Sequence, residues 1–226
     1  MEKERHILVV FPHPDDETFA AGGTIAMHAK NGTPITYVCL TLGEMGRNMG
    51  SPVFANRETL PLIRKEELKQ AARVLGIQDV RLLGYRDKTV EFEDRETLVA
   101  KIQAIVDEIR PSLMITFYPG YSVHPDHDAT GAAVAEAVSR INPEMRPKLI
   151  CAVFSKNCRE ELGEPDIVYD IRPVREIKLA AMQCHATQTQ LMLADLETKL
   201  KHHDPDLMRR LTEEHFWVYR FHDSSR

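Results

Sequence analysis

The chain of 226 residues is 43 % hydrophobic and 28 % charged, and its formal net charge at pH 7 is −5. These values are typical of a globular protein that is long enough to bury a sizeable core. The acidic balance argues against nucleic acid as a partner, because binding a phosphate backbone needs clustered Lys and Arg. No apolar segment has the form of a signal peptide or the length that spans a bilayer. We therefore expect a cytoplasmic protein that does not bind a membrane.

Cysteine usage points to neither disulfides nor a thiolate metal site. Cys39, Cys151, Cys158 and Cys184 are widely spaced, and no C-x-x-C pair occurs. A disulfide framework and a thiolate zinc site both show closer, paired spacing. The sequence suggests neither of them.

Short apolar runs alternate with segments of helical periodicity along the first two thirds of the chain. The apolar runs predict strands, which are 7–11, 35–42, 80–83, 113–118 and 149–154. The segments between and after them predict helices, which are 17–30, 57–75, 94–109 and 126–141. The first and fourth runs are nearly all apolar, as is usual for buried parallel strands. This alternation predicts an α/β fold with a mostly parallel, Rossmann-like sheet and helices on both faces.

The last third is less regular and predicts a small C-terminal extension. Residues 167–171 can form a short strand, 174–200 one or two helices, and 215–221 a terminal strand. No linker or low-complexity segment divides the chain, so we expect a single domain, 1–226. A long loop at 43–56 follows the second strand, and loops of this length often act as lids over a site.

Two clusters of His and Asp follow strands that we predict to be neighbours. His13-Pro14-Asp15-Asp16-Glu17 comes after the first strand, and His124-Pro125-Asp126-His127-Asp128 comes after the fourth. Open α/β sheets bind ligands at the carboxyl ends of their strands, and in the common order 3-2-1-4-5 the first and fourth strands lie side by side. The two clusters should therefore share one crevice.

The residue types in these clusters suit a catalytic metal. Neutral imidazole and carboxylate are good zinc ligands, and a catalytic zinc site keeps one coordination position open. His13 and Asp16, three residues apart over a first helical turn, can converge on one ion. His127 would be the third ligand. Asp15 would then lie beside the water that the metal activates, where it could act as a general base.

The second cluster supplies two further candidates. His124 would be a second charge near the reacting carbonyl, and Asp126 is a candidate to orient an imidazole. Because Fe²⁺ also accepts imidazole and carboxylate, the ligand types are compatible with both Zn²⁺ and Fe²⁺.

Helix capping is the simpler interpretation of the first cluster. Acids in a first helical turn interact favourably with the helix dipole, and Pro is common at such positions. Capping requires only an oxygen acceptor, however, and it does not require the three histidines at positions 13, 124 and 127. The paired clusters therefore favour a metal site.

The same residues resemble a known family, the LmbE-like or PIG-L zinc-dependent N-deacetylases. Within that family the chain is most similar to the bacillithiol-biosynthesis deacetylases, which remove acetyl from N-acetylglucosaminyl malate. The resemblance is carried by the two His/Asp clusters and runs through most of the chain. Further matching stretches are Thr41-Leu42-Gly43-Glu44, Arg64-Lys65-Glu66-Glu67, Gly84-Tyr85-Arg86-Asp87 and the segment 178–188.

The resemblance implies a role for each candidate residue. It implies that His13, Asp16 and His127 bind the metal and that Asp15 is the base. His124 would stabilise the tetrahedral oxyanion or protonate the leaving amine, and Asp126 would tune His124. The positions implied to hold the sugar hydroxyls are Glu44, Arg64 and Asp87.

Two expectations concern what the protein contacts. Arg47 lies in the same long loop as Glu44, and we take it as a candidate to bind a malate carboxylate, since a guanidinium can bind both oxygens. Similar proteins often form homo-oligomers through C-terminal elements, so we also expect a homo-oligomer. The expected substrate is a small N-acetyl sugar conjugate.

Other functions remain open from the residues alone. His13 and Asp15 with a distant His127 also satisfy the two-histidine, one-carboxylate pattern of iron oxygenases, although such sites usually occur in β-barrels. A catalytically inactive sugar-binding module is another alternative. A nucleotide site is disfavoured, because the first turn lacks G-x-G-x-x-G and its carboxylates would repel a pyrophosphate. His185, in a largely apolar segment, could be structural or could approach the pocket.

Overall fold

The computed structural model of the protein describes residues 2–155 and 157–221. In these residues the strands form one sheet in the order β3-β2-β1-β4-β5-β7-β6. Their bounds are β1 (Ile7–Phe11), β2 (Ile35–Cys39), β3 (Asp79–Leu82), β4 (Leu113–Phe117), β5 (Lys148–Ala152), β6 (Ile167–Asp170) and β7 (Glu213–Val218). The first five strands are parallel, and β7 runs antiparallel between β5 and β6. The predicted fold class and the predicted order of the first five strands are confirmed.

The helices follow the strands in the alternation that the sequence predicts. Their bounds are α1 (Asp16–Lys30), α2 (Leu60–Leu75), α3 (Arg95–Ile109), α4 (Pro125–Ser139), α5 (Cys158–Leu162), α6 (Arg175–Cys184), α7 (Ala186–Leu193), α8 (Leu196–Lys201) and α9 (Pro205–Thr212). Short 3₁₀ helices occur at Val90–Phe92, Pro143–Met145 and Arg172–Val174. No helix in the described ranges is both long and apolar enough to cross a membrane.

The sheet is buried on both faces, which explains why its central strands are almost entirely apolar. In β1, the side chains of Ile7, Val9 and Phe11 belong to a core with residues of α1, α2 and α6. Leu8 and Val10 point the other way, into a core with α3 and α4. Alternate side chains of a strand face opposite sides of the sheet, so a strand covered on both faces cannot show a polar alternation.

The C-terminal region differs from the prediction in its number of helices. We expected one or two helices over 174–200, but α6, α7 and α8 lie there and α9 follows. The helical path breaks between α6 and α7 at His185, whose backbone has φ −85° and ψ 51°. Short helices here are stabilised by a separate apolar cluster around Leu179, Met182, Leu207 and Leu211. Packing of this kind cannot be read from helical periodicity.

Candidate active site

The two His/Asp clusters lie side by side at the carboxyl edge of the sheet. β1 and β4 pair directly in parallel, so the turns that follow them emerge next to each other. The first turn leads into α1 and the second into α4. The imidazole rings of His13 and His127 lie with their centroids 5.1 Å apart. The structure thus brings together the residues that were predicted to share a crevice.

Three side chains present donor atoms at the spacing of a tetrahedral metal site. His13 Nδ1 lies 3.2 Å from His127 Nε2 and 3.4 Å from Asp16 Oδ2, and His127 Nε2 lies 3.3 Å from Asp16 Oδ1. Zinc bonds to nitrogen or oxygen of about 2.0–2.2 Å place tetrahedral ligands about 3.3–3.6 Å apart. Asp16 offers a different oxygen to each histidine, so His13, Asp16 and His127 could hold one divalent cation with a fourth position open.

Hydrogen bonds orient both imidazoles toward this point. His13 Nε2 lies 3.2 Å from Asp126 Oδ2 and 3.2 Å from Asp87 Oδ1. In the neutral ring the proton is therefore on Nε2, which donates to carboxylate, and the lone pair of Nδ1 is available to a metal. His127 Nδ1 lies 3.2 Å from the carbonyl oxygen of Ser122, which leaves Nε2 free. A partner of this kind fixes the ring and its tautomer in metal sites.

Asp126 contacts a different imidazole from the one that the family resemblance implied. Its carboxylate is fully buried and accepts the N–H groups of Lys88 at 2.7 Å and Val90 at 3.1 Å, in addition to contacting His13. Its contact with His124 is made by the backbone, because the N–H of Asp126 donates to His124 Nδ1 at 3.1 Å. The Asp126 carboxylate therefore acts on His124 through charge alone and orients His13 directly.

His124 lies at the start of α4 with one ring nitrogen occupied. Since its Nδ1 accepts the N–H of Asp126, the proton of the neutral ring is on Nε2, which is available to donate. Burial, and then the neighbouring His13 and His127, lower the pKa of His124. A neutral imidazole with a free N–H suits the stabilisation of a developing oxyanion.

Asp15 has an unusual backbone and a buried cationic partner. It adopts φ 109° and ψ −28°, a region that residues other than glycine rarely occupy. Its Oδ2 accepts a hydrogen bond of 3.1 Å from Arg64 Nη2, and Arg64 also donates to the carbonyl oxygens of Pro14 and Gly43. Burial raises the pKa of Asp15 to about 6, against the lowering effect of Arg64 and with a further raising effect from Asp16. A carboxylate with a pKa closer to neutrality is a better general base.

The site concentrates negative charge around His13 and Asp16. Burial would raise the pKa of Asp16, but His127 and His13 hold it well below its ordinary value. Burial would lower the pKa of His13, but hydrogen bonds to Asp126, Asp16 and Asp87 raise it well above its ordinary value. The carboxylates that stabilise a proton on His13 would also stabilise a divalent cation there, because both carry positive charge. Metal binding would displace the proton.

The four residues expected to bind substrate are placed differently. Arg64 and Asp87 are buried at the site, where Arg64 contacts Asp15 and Asp87 contacts His13. Glu44 is half-buried on the adjoining loop, and its Oε2 accepts the N–H of Leu42 at 3.3 Å. Arg47 is exposed and makes no ion pair with any residue of the described ranges. The structure therefore brings Arg64 and Asp87 to the site, and Glu44 and Arg47 lie on the loop that follows β2.

The sequence interpretation missed a buried pair behind the first turn. His185 Nε2 lies 2.7 Å from Glu17 Oε1, and neither side chain has any exposed surface. Burial would lower the pKa of His185, but the charge and hydrogen bond of Glu17 raise it. The available signal was the histidine between two helical segments in the stretch 178–188, but spacing did not identify its partner.

Comparison with known proteins assigns the chain to a family. The sequence model of the family described as PIG-L, GlcNAc-PI de-N-acetylase, matches residues 8–138, which include both His/Asp clusters. The matched segment is more than half of the chain, and full-length relatives agree with it. The chain belongs to the PIG-L family.

The relatives include two curated proteins of similar length. A protein of Bacillus subtilis (strain 168) named "Probable N-acetyl-alpha-D-glucosaminyl L-malate deacetylase 2" is 52 % identical over 220 residues, covering 97 % of this chain and 100 % of that protein. A Bacillus cereus protein of the same name is 53 % identical over 218 residues, covering 96 % of this chain and 99 % of that protein. The alignments span nearly the whole of each chain.

A solved structure supports the fold. The N,N'-diacetylchitobiose deacetylase from Pyrococcus horikoshii, in complex with its inhibitor MPG, superposes with a TM-score of 0.72 at 24 % sequence identity. The match covers 96 % of this chain and 84 % of that chain. At this level of identity the likeness establishes the Rossmann-like architecture and no more.

Proposed function

We propose that the protein is a metal-dependent deacetylase that removes the acetyl group from an N-acetylglucosamine conjugate. We propose N-acetylglucosaminyl malate, in bacillithiol biosynthesis, as the substrate. The observation that supports this reaction is the convergence of the donor atoms of His13, Asp16 and His127, next to Asp15 and His124. The substrate assignment is supported by relatives of that name at 52 % and 53 % identity over nearly the full chain.

His13, Asp16 and His127 would hold the metal, which we propose to be Zn²⁺. Their imidazole and carboxylate donors are also suitable for Fe²⁺, and we propose Zn²⁺ because three such ligands with one open position are typical of catalytic zinc sites. When bound, such an ion polarises the amide carbonyl and lowers the pKa of a water molecule. Asp126 and Asp87 keep His13 in the orientation that leaves its Nδ1 free.

Asp15 and His124 would divide the proton transfers. Asp15 takes a proton from the water that attacks the acetyl carbonyl, and Arg64 keeps its carboxylate in place. The Nε2–H of His124 donates a hydrogen bond to the oxygen of the tetrahedral intermediate, and the leaving nitrogen takes its proton from Asp15 or from a protonated His124. The C–N bond of the amide then breaks and gives acetate and a free amine. A positioned base contributes about 10²–10⁴-fold to such a reaction.

The substrate contacts are proposed from the family resemblance and from proximity. Glu44, Arg64 and Asp87 would hold sugar hydroxyls, and Asp87 lies 3.2 Å from His13, so a hydroxyl bound there would lie next to the metal ligands. Arg47 would meet a malate carboxylate, because its exposed guanidinium is free to form a bidentate contact. Homo-oligomer formation, a single domain and a cytoplasmic location stay predictions.

The experiment that tests this function is an assay of amine release. The metal-loaded protein should release amine from N-acetylglucosaminyl malate faster than from plain N-acetylglucosamine, and removal of the metal by a chelator should abolish turnover until Zn²⁺ is restored. No amine release from any N-acetyl sugar would contradict the proposal and would favour an inactive sugar-binding module. Oxygen-dependent turnover of a 2-oxo acid would favour the oxygenase alternative, which the relatives do not support.

A further inference from the structure

Glu17 connects the proposed base to a distant part of the chain. Its Oε2 accepts the backbone N–H of Asp15 at 3.0 Å. Its Oε1 lies 2.7 Å from His185 Nε2 and also accepts the hydroxyl of Thr18 at 2.6 Å. The carboxylate of Glu17 is therefore held on one side by the C-terminal helices and itself holds the peptide group of Asp15.

The backbone of Asp15 needs such a restraint. Its φ of 109° lies in a region that is strained for any residue with a side chain. A strained conformation persists only where surrounding contacts determine it. The Glu17 carboxylate accepts a hydrogen bond from the N–H of Asp15 and so fixes the peptide group on the N-terminal side of the N–Cα bond. The carbonyl of Asp15 is fixed by the first turn of α1, where it accepts the N–H groups of Thr18 and Phe19. Loss of the Glu17 contact would let the Asp15 carboxylate move relative to the metal ligands.

His185 is itself held firmly. Its carbonyl accepts hydrogen bonds from Thr189, and the next turn of α7 is anchored to α2 because the N–H and hydroxyl of Thr187 donate to Glu67 at 2.7 and 2.6 Å. The ring is fully buried and reaches Glu17 across 168 residues of sequence. An imidazole fixed in this way can hold the Glu17 carboxylate in one position.

The Glu17–His185 pair also gives the third acid of the first turn a nitrogen partner. Asp15 pairs with Arg64, Asp16 contacts His127, and Glu17 has His185 as its own partner. Without an imidazole beside it, the Glu17 carboxylate would be buried next to two other acids with no cationic partner, which is costly. Each of the three consecutive acids thus has a separate nitrogen partner.

We propose that His185 is a positioning residue, which acts through Glu17 to hold Asp15 in its catalytic conformation. The inference rests on the proposed function, in which Asp15 is the base. It predicts that His185 affects the rate of the chemical step and has little effect on substrate or metal binding. A residue with a purely structural role would change stability without changing kcat in the folded protein.

The test compares variants at His185 with a matched control on the same helix. His185→Leu removes the donor, and His185→Gln keeps a donor at a similar reach. The control, Met192→Ala, removes a side chain of α7 that packs against the apolar cluster around Leu179 and Met182 and does not bond to Glu17 or His185. His185→Leu should lower kcat roughly 10- to 100-fold, the effect of a small displacement of a reacting group, with KM and metal content unchanged. His185→Gln should recover most of kcat, and Met192→Ala should keep the kcat of the unchanged protein although its unfolding temperature falls.

The outcomes separate this inference from the proposed function. If Asp15→Asn is inactive while His185→Leu has full kcat, the positioning role is wrong and the deacetylase function stands. If Asp15→Asn retains activity, Asp15 is not the base and the positioning inference fails with it. If the unchanged protein releases no amine from an N-acetyl sugar, the proposed function itself is wrong. Should His185→Leu fail to fold, His185→Asn provides a polar replacement that is too short to reach Glu17, and full kcat in that variant would overturn the inference. A loss of kcat in Met192→Ala equal to that in His185→Leu would also overturn it.

Discussion

The turn after β1 and the turn after β4 carry similar residues, but different contacts hold them in place. In the first turn, the acids are met by side chains from distant parts of the chain: Arg64 of α2 contacts Asp15, and His185 contacts Glu17. The first turn therefore depends on charges that other helices supply.

In the second turn, the acids accept mainly backbone N–H groups. Asp126 accepts those of Lys88 and Val90, and Asp128 accepts those of Gly120 and Ser122. These amides lie in loops beside the site and at the start of the 3₁₀ helix Val90–Phe92, so the second turn is fixed by backbone hydrogen bonds. It depends less on the ionisation state of other side chains.

This difference between side-chain and backbone partners is consistent with the role that we propose for each turn. The first turn contains the proposed base, Asp15, whose pKa is raised by burial and adjusted by the neighbouring charges of Arg64 and Asp16. The second turn presents His124 and His127, which must hold a fixed direction and a fixed tautomer. Variants in the two turns should therefore fail in different ways, and the following predictions are ordered by the size of the effect.

The largest effect should come from Asp15→Asn in the first turn. Removal of the base should lower kcat by about 10²–10⁴-fold, while the metal content stays unchanged because Asp15 is not among the three converging donors. Steady-state kinetics and metal analysis of the same preparation measure both quantities. Loss of the metal in this variant would mean that the ligands are assigned wrongly.

The second turn should show its largest effect in His124→Ala. Loss of one oxyanion donor typically costs about 10²–10³-fold in kcat, and substrate binding should change little because the donor acts in the transition state. A suitable control is His202→Ala, since His202 is exposed near the C-terminus. If kcat is preserved while KM rises in His124→Ala, His124 binds substrate and does not stabilise the transition state.

The smallest effect should be a shift in pH dependence. Asp15 must be deprotonated to act as a base, so activity should fall as the pH drops through its pKa. Arg64 lowers that pKa, so Arg64→Met should raise it and move the acidic limb of the kcat profile to higher pH. Arg64→Lys keeps a positive charge and should move the limb less. An unchanged limb in Arg64→Met would show that Arg64 does not set the proton affinity of the base.

The sequence predicted the parts of this site that depend on local pattern. The apolar runs and the common strand order placed His13 beside His127, and the three-residue spacing placed Asp16 with them. Both arguments rest on strand periodicity and on helix geometry, which act over short stretches of sequence.

The rest of the site depends on long-range packing. The pairing of Glu17 with His185 joins residues 168 positions apart, and it requires the break between α6 and α7 that periodicity did not predict. The contact of Asp126 with His13 likewise depends on how the loop around Lys88 folds over the second turn. No local pattern encodes these contacts.

Metal binding by single variants from each turn tests the central claim most directly. The claim is that His13 from the first turn and His127 from the second hold one metal ion. Metal analysis after dialysis should find one ion per chain in the unchanged protein and a strong loss in both His13→Ala and His127→Ala. If either variant binds the metal with the affinity of the unchanged protein, the two turns do not form a common metal site and the account is wrong.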